Sequence, residues 1–546
     1  MRLDRRTFLK ASAVGAAGAS LIGRVMGLPN PVARALQEGG AAPADERWVR
    51  SVCRQCPSGC GIQVRVFDGR AVKIEGNPDH PINFGRLCPK GQAGLQVLYD
   101  PDRIKTPLRR TNPRKGPDQD PGFVPVSWEE ALDAVAAKLR QLRDEGKSHT
   151  LAIMGGRYRG HAPAMTGVFL SLYGSPNDIG HSSICSDASV IAHYLTDGNK
   201  SYQGYDWDHT NYVLCFGAAF LEAFRPTTRL LRAWGHLRRG RPVRAKFVQV
   251  DVRLSVTAAK ADEWLVVKPG TDAALALGLA HVILTEGLWD RGFVGDFNRP
   301  GLRFQAGVAV DPAAFTERWT YGLVDWWNEV VKDATPEWAE KICGVPAETI
   351  RRIAVEFATT RPAVATGERG AGAHTNGCYT RMAIHALNAL VGSMYSKGGV
   401  RRQISPPYAK LPSTEDYMDE TARAVAERVK SGELLRIDKA GSHDFPFAKN
   451  VYQNVADNHL KGDPYKLNAV IIYLTNPLFT PMSPQRFEEA FKDVFVVETT
   501  SYMSETALYA DYILPDHSYL ETYLDDPIYP SLGYPCTGIQ IGRAHV

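Results

Sequence analysis

CRQCPSGC, residues 53–60, and CPKG, residues 88–91, bring four cysteines into one short part of the chain. The spacers between these cysteines are two, three and 27 residues long, and the last cysteine stands alone. A cubane iron–sulfur cluster requires four thiolates. Structural zinc sites, the main alternative, usually pair their ligands at short spacing in both halves. The pattern therefore favours an iron–sulfur cluster, with the ligands Cys53, Cys56, Cys60 and Cys88.

Length and charge limit the remaining possibilities. A chain of 546 residues exceeds one hydrophobic core, so about two to four domains are expected. The formal charge of +5 lies in residues 1–35, because the rest of the chain has 58 basic and 58 acidic side chains. Because residues 36–546 have no formal net charge, the charge of the chain gives no support for nucleic-acid binding.

The N-terminal segment has the features of an export signal. RRTFLK, residues 5–10, precedes 13 small or apolar residues, 11–23, which are too few to span a bilayer as a helix. The segment resembles a twin-arginine signal peptide, with Asp4 where serine or threonine is more usual. We therefore predict a signal over residues 1–35 and a location in the periplasm or on the extracytoplasmic face of the membrane.

The C-terminal end departs from an ordinary protein sequence. IGRAHV, residues 541–546, looks like translated sequencing adapter. We therefore expect the native chain to continue differently after about Gln540, with a further domain.

Strand-like and helix-like segments alternate over most of the chain, which predicts an α/β fold with parallel sheets. Ser127 and Glu130 form a capping box at the start of one such helix. Residues 404–463 are polar and irregular and are interpreted as an inserted surface segment. The strands are predicted at residues 151–154, 212–216, 247–250, 264–268, 469–474 and 494–497.

Two adjacent motifs, YGSPN at residues 173–177 and HSSIC at residues 181–185, are the second specific signal. With the cysteine motif, they resemble the molybdopterin oxidoreductases of the dimethyl-sulfoxide-reductase family, over about residues 49–529. The resemblance implies that Cys185 is the protein ligand to molybdenum and that His181 lies in the catalytic site. A thiolate is a soft ligand suited to such a metal. A cysteine packed in the core is the alternative.

The same resemblance implies a domain organisation. Residues 46–106 would form a small 4Fe-4S domain, in which Lys90 is the basic residue between cluster and pterin. An ordinary solvated lysine is the alternative for Lys90. Residues 181–360 would form one Rossmann-like domain, and residues 107–180 with 361–535 a second, discontinuous one. The C-terminal barrel-like domain of the family would be missing.

Short motifs resemble the family's binding loops for two molybdopterin guanine dinucleotides. Aspartates at strand ends and helix starts can bond ribose hydroxyls or guanine nitrogens, and glycines let the backbone approach a pyrophosphate. A turn or a helix cap is the alternative at each position. The residues implied for the first dinucleotide are Gly217, Glu222, Asp251, Gly270 and Asp272. Those implied for the second are Gly370, His374, Asn376, Asn476 and Thr499.

The function implied by the resemblance is that of an exported catalytic subunit with a molybdenum bis(molybdopterin guanine dinucleotide) centre and one 4Fe-4S cluster. The motifs look most like the polysulfide, thiosulfate and arsenate reductase branch, which implies two-electron chemistry on a small sulfur or arsenic compound. Electrons would pass through the cluster to an iron–sulfur partner subunit and a quinone-linked membrane subunit. Ser186, where formate dehydrogenases usually have histidine, disfavours formate. Nitrate or dimethyl-sulfoxide reduction, and a molybdenum-free electron-transfer paralogue, remain alternatives.

Overall fold

The computed structural model of the chain describes residues 45–157, 160–528 and 534–542. The predicted export signal, residues 1–35, lies outside the described residues, as do residues 543–546 of the adapter-like end. Within the described ranges, no helix combines the length and hydropathy needed to cross a membrane.

The cysteine motif belongs to a small N-terminal unit built on a three-stranded antiparallel sheet. The strands are Glu46–Val52, Gly61–Phe67 and Arg70–Gly76. In the middle strand Ile62, Val64 and Val66 are fully buried and alternate with more exposed residues, as expected for a sheet with one covered face. The first three cysteines lie in the loop between the first two strands. Cys88 precedes the short helix Pro89–Gln92.

A four-stranded sheet forms the first α/β unit, and its strands are all parallel. Tyr212–Phe216 and Ala363–Gly367 are buried at every position, because helices cover both faces of such sheets and select continuous apolar runs. The order across the sheet is Glu263–Val266, Lys246–Asp251, Tyr212–Phe216 and Ala363–Gly367.

The predicted domain boundary at residue 361 is wrong. Ala363 pairs with Tyr212 in the first sheet, and the helix Gly377–Leu390 buries Ile384 and Leu387 in the same core as the helix Asp272–Thr285. The Arg361-Pro362 dipeptide suggests a linker when read locally, but pairing of strands about 150 residues apart decides where the segment belongs.

A seven-stranded sheet forms the second α/β unit. Five neighbouring strands are parallel, and two short strands extend one edge antiparallel. The prediction of parallel sheets therefore holds for the centre of this sheet but not for that edge. The order is Val124–Pro125, Leu108–Arg109, Tyr512–Leu514, Phe495–Thr499, Ala469–Tyr473, Leu151–Gly155 and Asn177–Gly180.

The segment 404–463 is not merely an inserted surface loop, contrary to the sequence-based interpretation. It contains the helices Glu420–Lys430 and Asn454–Lys461, and its Ile437 and Tyr452 are fully buried in the core of the second α/β unit. Because many residues of the segment are polar, its sequence pattern does not indicate that Ile437 and Tyr452 are buried.

The longer helices pack around the two sheets. At the start of one, the Ser127 hydroxyl accepts a hydrogen bond from the Glu130 backbone, as predicted. Helices of seven residues or more not yet named are Trp128–Asp144, Ala162–Tyr173, Asp187–Asp197, Thr227–Arg239, Leu323–Glu329, Pro336–Cys343, Ala347–Thr359 and Pro484–Ala490. Short strand pairs join Gln203–Tyr205 to Val400–Arg402, Gly295–Phe297 to Phe315–Glu317, and Leu524–Pro527 to Thr537–Gln540.

Candidate active site

The four motif cysteines are free thiols gathered in the N-terminal unit. Cys53 and Cys60 are buried, and Cys56 and Cys88 are partly exposed. Burial is the main cause that raises the pKa of Cys53 and of Cys60 to about 12, and repulsion from the other cysteines of the motif adds to it. Four thiolates at this place therefore require positive charge, which a bound metal centre supplies.

The four cysteines supply the four thiolates that a cubane cluster requires. Among the residues that the structure describes, no three His, Cys, Asp or Glu side chains are grouped around one metal position. A zinc ion needs its ligands to converge on one point at about 2.3 Å from each sulfur. In a cubane cluster each cysteine binds its own iron, so the four sulfurs stand further apart.

Lys90 lies next to the cluster loop on the helix Pro89–Gln92 and is exposed. Its charge is near enough to lower the pKa of Cys60, against the larger raising effect of burial. This position agrees with a role near the cluster, while the exposure is what an ordinary solvated lysine would also show.

Lys90→Ala is expected to slow electron exchange between cluster and substrate by about an order of magnitude, because the lost cation no longer stabilises the extra negative charge. Iron and molybdenum contents should not change. Rapid-freeze electron paramagnetic resonance of the full-length protein measures the rate. Lys73→Ala is the matched control, because Lys73 is an exposed lysine on the three-stranded sheet of the same unit, where it pairs with Glu75. Equal rates of electron exchange in Lys90→Ala and Lys73→Ala would mean that Lys90 is an ordinary solvated lysine.

Cys185 follows the short turn Ser182–Ile184 in the region that joins the two α/β units. Its thiol is partly buried, and burial raises its pKa, but hydrogen bonding to His181 and Ser186 and the charge of Arg225 outweigh burial and lower the pKa to about 6. The Arg157 guanidinium donates to Cys185 Sγ at 3.9 Å. Cys185 is therefore poised as a thiolate, which is the form that binds metals.

His181 is held beside this thiolate. Its Nδ1 lies 3.1 Å from the backbone oxygen of Gly156, and a carbonyl only accepts, so Nδ1 carries the hydrogen. The other ring nitrogen is left to face the Cys185 side of the site. His181 and Arg157 also line a cleft, described below.

The carboxyl edge of the four-stranded sheet brings together residues that the sequence assigned to two separate sites. Gly217 has a φ of +58°, and a Cβ on Gly370 would lie 2.4 Å from the Gly217 oxygen. A Cβ on Gly270 would lie 3.4 Å from His374 Nδ1. Gly370 and His374, which the sequence analysis grouped with the second dinucleotide, therefore adjoin the candidates for the first dinucleotide. Asn376 lies in the same loop and is exposed.

Two carboxylates at this edge differ in their environment. Asp272 begins the helix Asp272–Thr285 and is 4% exposed. Burial raises its pKa, while the His374 charge lowers it and the Asp251 charge raises it, so the three side chains are near neighbours. Asp251 accepts from the Ser255 hydroxyl at 2.9 Å. Together they offer acceptors at the edge where parallel α/β sheets bind ligands.

Glu222 has a local structural partner. Its carboxylate accepts from the backbone of Val256 at 2.9 Å and from the Thr257 hydroxyl at 3.0 Å. Both donors lie at the start of the helix Val256–Lys260. In this structure Glu222 thus acts as a helix cap, which was the alternative to a cofactor contact.

A cleft of about 590 Å³ lies at the carboxyl ends of the seven-stranded sheet. Asn476 and Thr499 line it together with His181 and Arg157, so these two candidates for the second dinucleotide are brought together. Asn476 is fixed by donating to Glu505 at 2.7 Å and accepting from the Thr506 hydroxyl at 2.6 Å. The cleft continues to the Cys185 region through His181 and Arg157.

Glu498 lies in the wall of this cleft and was not predicted as a site residue. It is 3% exposed, and one carboxyl oxygen accepts from the Ser504 hydroxyl at 3.1 Å while the other has no partner among the described residues. Burial raises the pKa of Glu498 to about 8, helped by the Glu505 charge. The carboxyl group is therefore protonated at neutral pH.

Glu498→Gln tests this protonation through stability. The folded state keeps the proton up to about pH 8, whereas an unfolded glutamate releases it near its usual pKa of 4.5. The free energy of unfolding therefore falls as pH rises through that window. Glutamine avoids the fall, so the variant should gain up to about 3 kcal/mol over the parent at pH 8 and nothing at pH 4.

Urea midpoints at the two pH values measure that gain. Glu427→Gln is the control for loss of a carboxylate, because this exposed glutamate lies on the helix Glu420–Lys430 outside the cleft, and its replacement should give no gain at pH 8. A Glu498→Gln variant whose advantage is the same at pH 4 and pH 8 would contradict a protonated Glu498.

Several charged residues around Cys185 escaped the sequence analysis. Arg157 and Arg225 are lone arginines outside any motif, and only the fold brings them to the cysteine. Glu368 and Arg381, which are 7% and 1% exposed, lie further from the cysteine, near Arg225, because, against the larger raising effect of burial, the charges of Arg381 and Arg225 both lower the pKa of Glu368. The one signal for Glu368 in the sequence is its charge within an otherwise apolar connection between a strand and a helix.

Comparison with known proteins agrees with this geometry. A family model described as "Molybdopterin oxidoreductase" matches residues 103–524, and one described as "Molybdopterin oxidoreductase Fe4S4 domain" matches residues 46–100. The arsenate respiratory reductase molybdopterin-containing subunit of Shewanella sp. (strain ANA-3) is 39% identical over 95% of this chain and 61% of its own length.

Two further relatives extend the comparison. The thiosulfate reductase molybdopterin-containing subunit of Salmonella typhimurium is 30% identical over 95% of this chain and 64% of its own length. The structure of acetylene hydratase from Pelobacter acetylenicus superposes with a TM-score of 0.70 at 23% identity, covering 90% of this chain and 66% of that one, which shows a shared fold. The chain spans about 60% of the length of the arsenate reductase subunit.

The two family models together cover most of the chain, the shorter matching the unit that holds the cysteine loop and the longer matching the part that forms both α/β units. The cofactors are accordingly molybdenum on molybdopterin and a 4Fe-4S cluster. The chain belongs to the molybdopterin oxidoreductases, an enzyme family, and its N-terminal unit is the family's Fe4S4 domain.

Proposed function

We propose that this chain is the catalytic part of a reductase for a small sulfur or arsenic oxyanion. The observation that carries the proposal is the set of positive groups around Cys185, namely Arg157, His181 and Arg225. One positive neighbour balances the single negative charge of a thiolate. The second arginine leaves positive charge to receive an anion, and arginine binds planar or tetrahedral oxyanions through paired donors.

The relatives support the same substrate class. The arsenate and thiosulfate reductase subunits are named for oxyanion substrates, and both align with nearly the whole of this chain. A neutral substrate such as a sulfoxide would gain nothing from the arginines beside Cys185. The oxyanion class is therefore preferred over the other reactions of the family.

Each group of residues has a task in this proposal. Cys185 supplies a thiolate to molybdenum, which exchanges two electrons with substrate when it is bound. Arg157 would orient the anion, and His181, in the wall of the cleft, would be placed to deliver one of the two protons that the two-electron reduction consumes. The loops of Gly217 and Gly370, whose backbones pack closely against each other, would bind one pterin dinucleotide, and the cleft lined by Asn476 and Thr499 would receive the other.

Electron transfer completes the proposal. Cys53, Cys56, Cys60 and Cys88 would hold the cluster, which would supply single-electron transfer between the molybdenum site and an iron–sulfur partner subunit linked to a quinone-reactive membrane subunit. The predicted twin-arginine signal would place this assembly on the outer face of the membrane.

Assays of the full-length protein with reduced viologen test the function. Arsenate and thiosulfate should oxidise the dye with kcat/KM well above that for dimethyl sulfoxide or nitrate. Metal analysis of the same preparation should give molybdenum together with four irons per chain. Full loading with turnover of dimethyl sulfoxide alone would overturn the oxyanion assignment, and absence of molybdenum would favour the electron-transfer paralogue.

A further inference from the structure

The cluster loop is bound by the start of a helix that belongs to the first α/β unit. This helix, Thr227–Arg239, lies against the loop where two hydroxyl groups approach cysteine sulfurs. Thr228 Oγ1 lies 3.1 Å from Cys60 Sγ, and Ser58 Oγ lies 3.3 Å from Cys56 Sγ. The Thr227 backbone N–H donates to the same Ser58 oxygen at 3.2 Å.

The direction of these hydrogen bonds follows from the chemistry of the cluster. A cysteine bound to iron is a thiolate with no hydrogen, so each hydroxyl must be the donor to its sulfur. Ser58 is prepared for this because the Thr227 N–H occupies its oxygen as an acceptor. Thr228 is 2% exposed and Cys60 is 4% exposed, so water does not compete for the Thr228 hydrogen bond.

Such donors favour the reduced cluster. Adding an electron increases negative charge on the cysteine sulfurs, and hydrogen bonds to those sulfurs are one of the factors that set the potential of an iron–sulfur cluster. The same helix begins at the loop, and its N-terminal backbone dipole also favours negative charge there. Both effects are strengthened by the low local dielectric.

The same chain segment also reaches the molybdenum side of the molecule. Arg225 acts electrostatically on Cys185, and three residues later Thr228 contacts Cys60. The start of the helix Thr227–Arg239 and the residues just before it therefore connect the surroundings of Cys185 with those of the cluster cysteines. Lys90 approaches the cluster from its own domain, whereas Thr228 approaches it from the catalytic unit.

We propose that Thr228, with Ser58 as a second donor, is a positioning residue that raises the reduction potential of the 4Fe-4S cluster through hydroxyl-to-sulfur hydrogen bonds. The inference rests on the cluster assignment and on the electron route of the proposed function, but not on the identity of the substrate. It predicts that the catalytic unit itself tunes the cluster that receives or supplies its electrons.

Thr228→Val removes the hydroxyl at nearly constant volume and tests the proposal. In the full-length, cofactor-loaded protein, the midpoint potential of the cluster should become more negative. At the wild-type midpoint, the ratio of reduced to oxidised cluster should fall about tenfold, which is about 59 mV for one electron. Potentiometric titration followed by electron paramagnetic resonance gives this ratio without any turnover measurement.

Three further variants separate the hydroxyl from packing. Thr228→Ser keeps the donor and should keep the wild-type midpoint. Ser58→Ala should shift the midpoint in the same direction by a smaller factor. Thr285→Val, which removes a helix hydroxyl bonded to the His281 carbonyl, should leave the midpoint unchanged.

The outcomes distinguish this inference from the cluster assignment. A wild-type protein without four irons would contradict the cluster itself, whatever the variants do. With iron present, an unchanged midpoint in both Thr228→Val and Ser58→Ala would overturn the tuning role. Equal shifts in Thr228→Val and Thr228→Ser would also overturn it, because they would assign the effect to packing. If Thr228→Val fails to load iron, the Ser58→Ala midpoint decides alone.

Discussion

Cys185→Ala should abolish turnover while leaving the protein folded and its iron in place. Removing a residue that only supports a metal ligand typically lowers metal affinity or activity about 10–100-fold. Because Cys185 is proposed as a direct ligand, we expect kcat to fall by more than about 100-fold. The loss follows because the thiolate donor sets the potential and geometry of the metal. Steady-state assays of the full-length enzyme measure it.

Two accompanying measurements separate a ligand from a core cysteine. Molybdenum should stay partly bound, because the loops at Asp251 and Asp272 do not depend on Cys185, and iron should stay complete because its cysteines lie in another unit. Cys185→Ser, which offers oxygen in place of sulfur, should do less harm than alanine. Cys343→Ala, a fully buried cysteine of the first α/β core, is the control for loss of packing. Wild-type activity in Cys185→Ala would make Cys185 a core residue.

Local sequence patterns were sufficient for the elements and for the cluster ligands. The strand predicted at residues 212–216 has those bounds in the structure, and the predictions at 469–474 and 494–497 differ by one or two residues at their ends. Continuous apolar runs between helices are typical of the buried parallel strands of an α/β chain. One short loop holds Cys53, Cys56 and Cys60, and Cys88 lies in the same N-terminal unit, as the spacing of the motif predicts.

The pairing of strands that are distant in the sequence could not be predicted from local patterns. Ala363–Gly367 looks like any other buried strand, and nothing within it shows that its neighbour is Tyr212–Phe216 rather than a strand of the second sheet. Because the segment was assigned to the second sheet, Gly370 and His374 were grouped with Asn476 and Thr499, whereas they lie beside Gly217 and Gly270. Arg157 and Arg225 were missed for a related reason, since a single arginine has no pattern and its role depends on which loop it faces.

Arg157→Gln should lower kcat/KM for arsenate or thiosulfate by about 100-fold, which is the effect expected when a charged donor to a developing oxyanion is removed. Arg157 both contacts Cys185 and lines the cleft, so it is placed between the thiolate and any substrate that enters there. Arg157→Lys keeps the charge but loses the paired donors and should fall between the parent and the glutamine variant.

The choice of substrate makes this variant informative about function. If the positive groups serve an anion, the loss is large for oxyanions and small for a neutral acceptor such as dimethyl sulfoxide, since only the former needs the Arg157 charge. Arg140→Gln, on the exposed side of the helix Trp128–Asp144, controls for a general change in charge. Equal losses for anionic and neutral substrates would mean that Arg157 acts on Cys185 rather than on the substrate, and the oxyanion proposal would then lose the observation on which it rests.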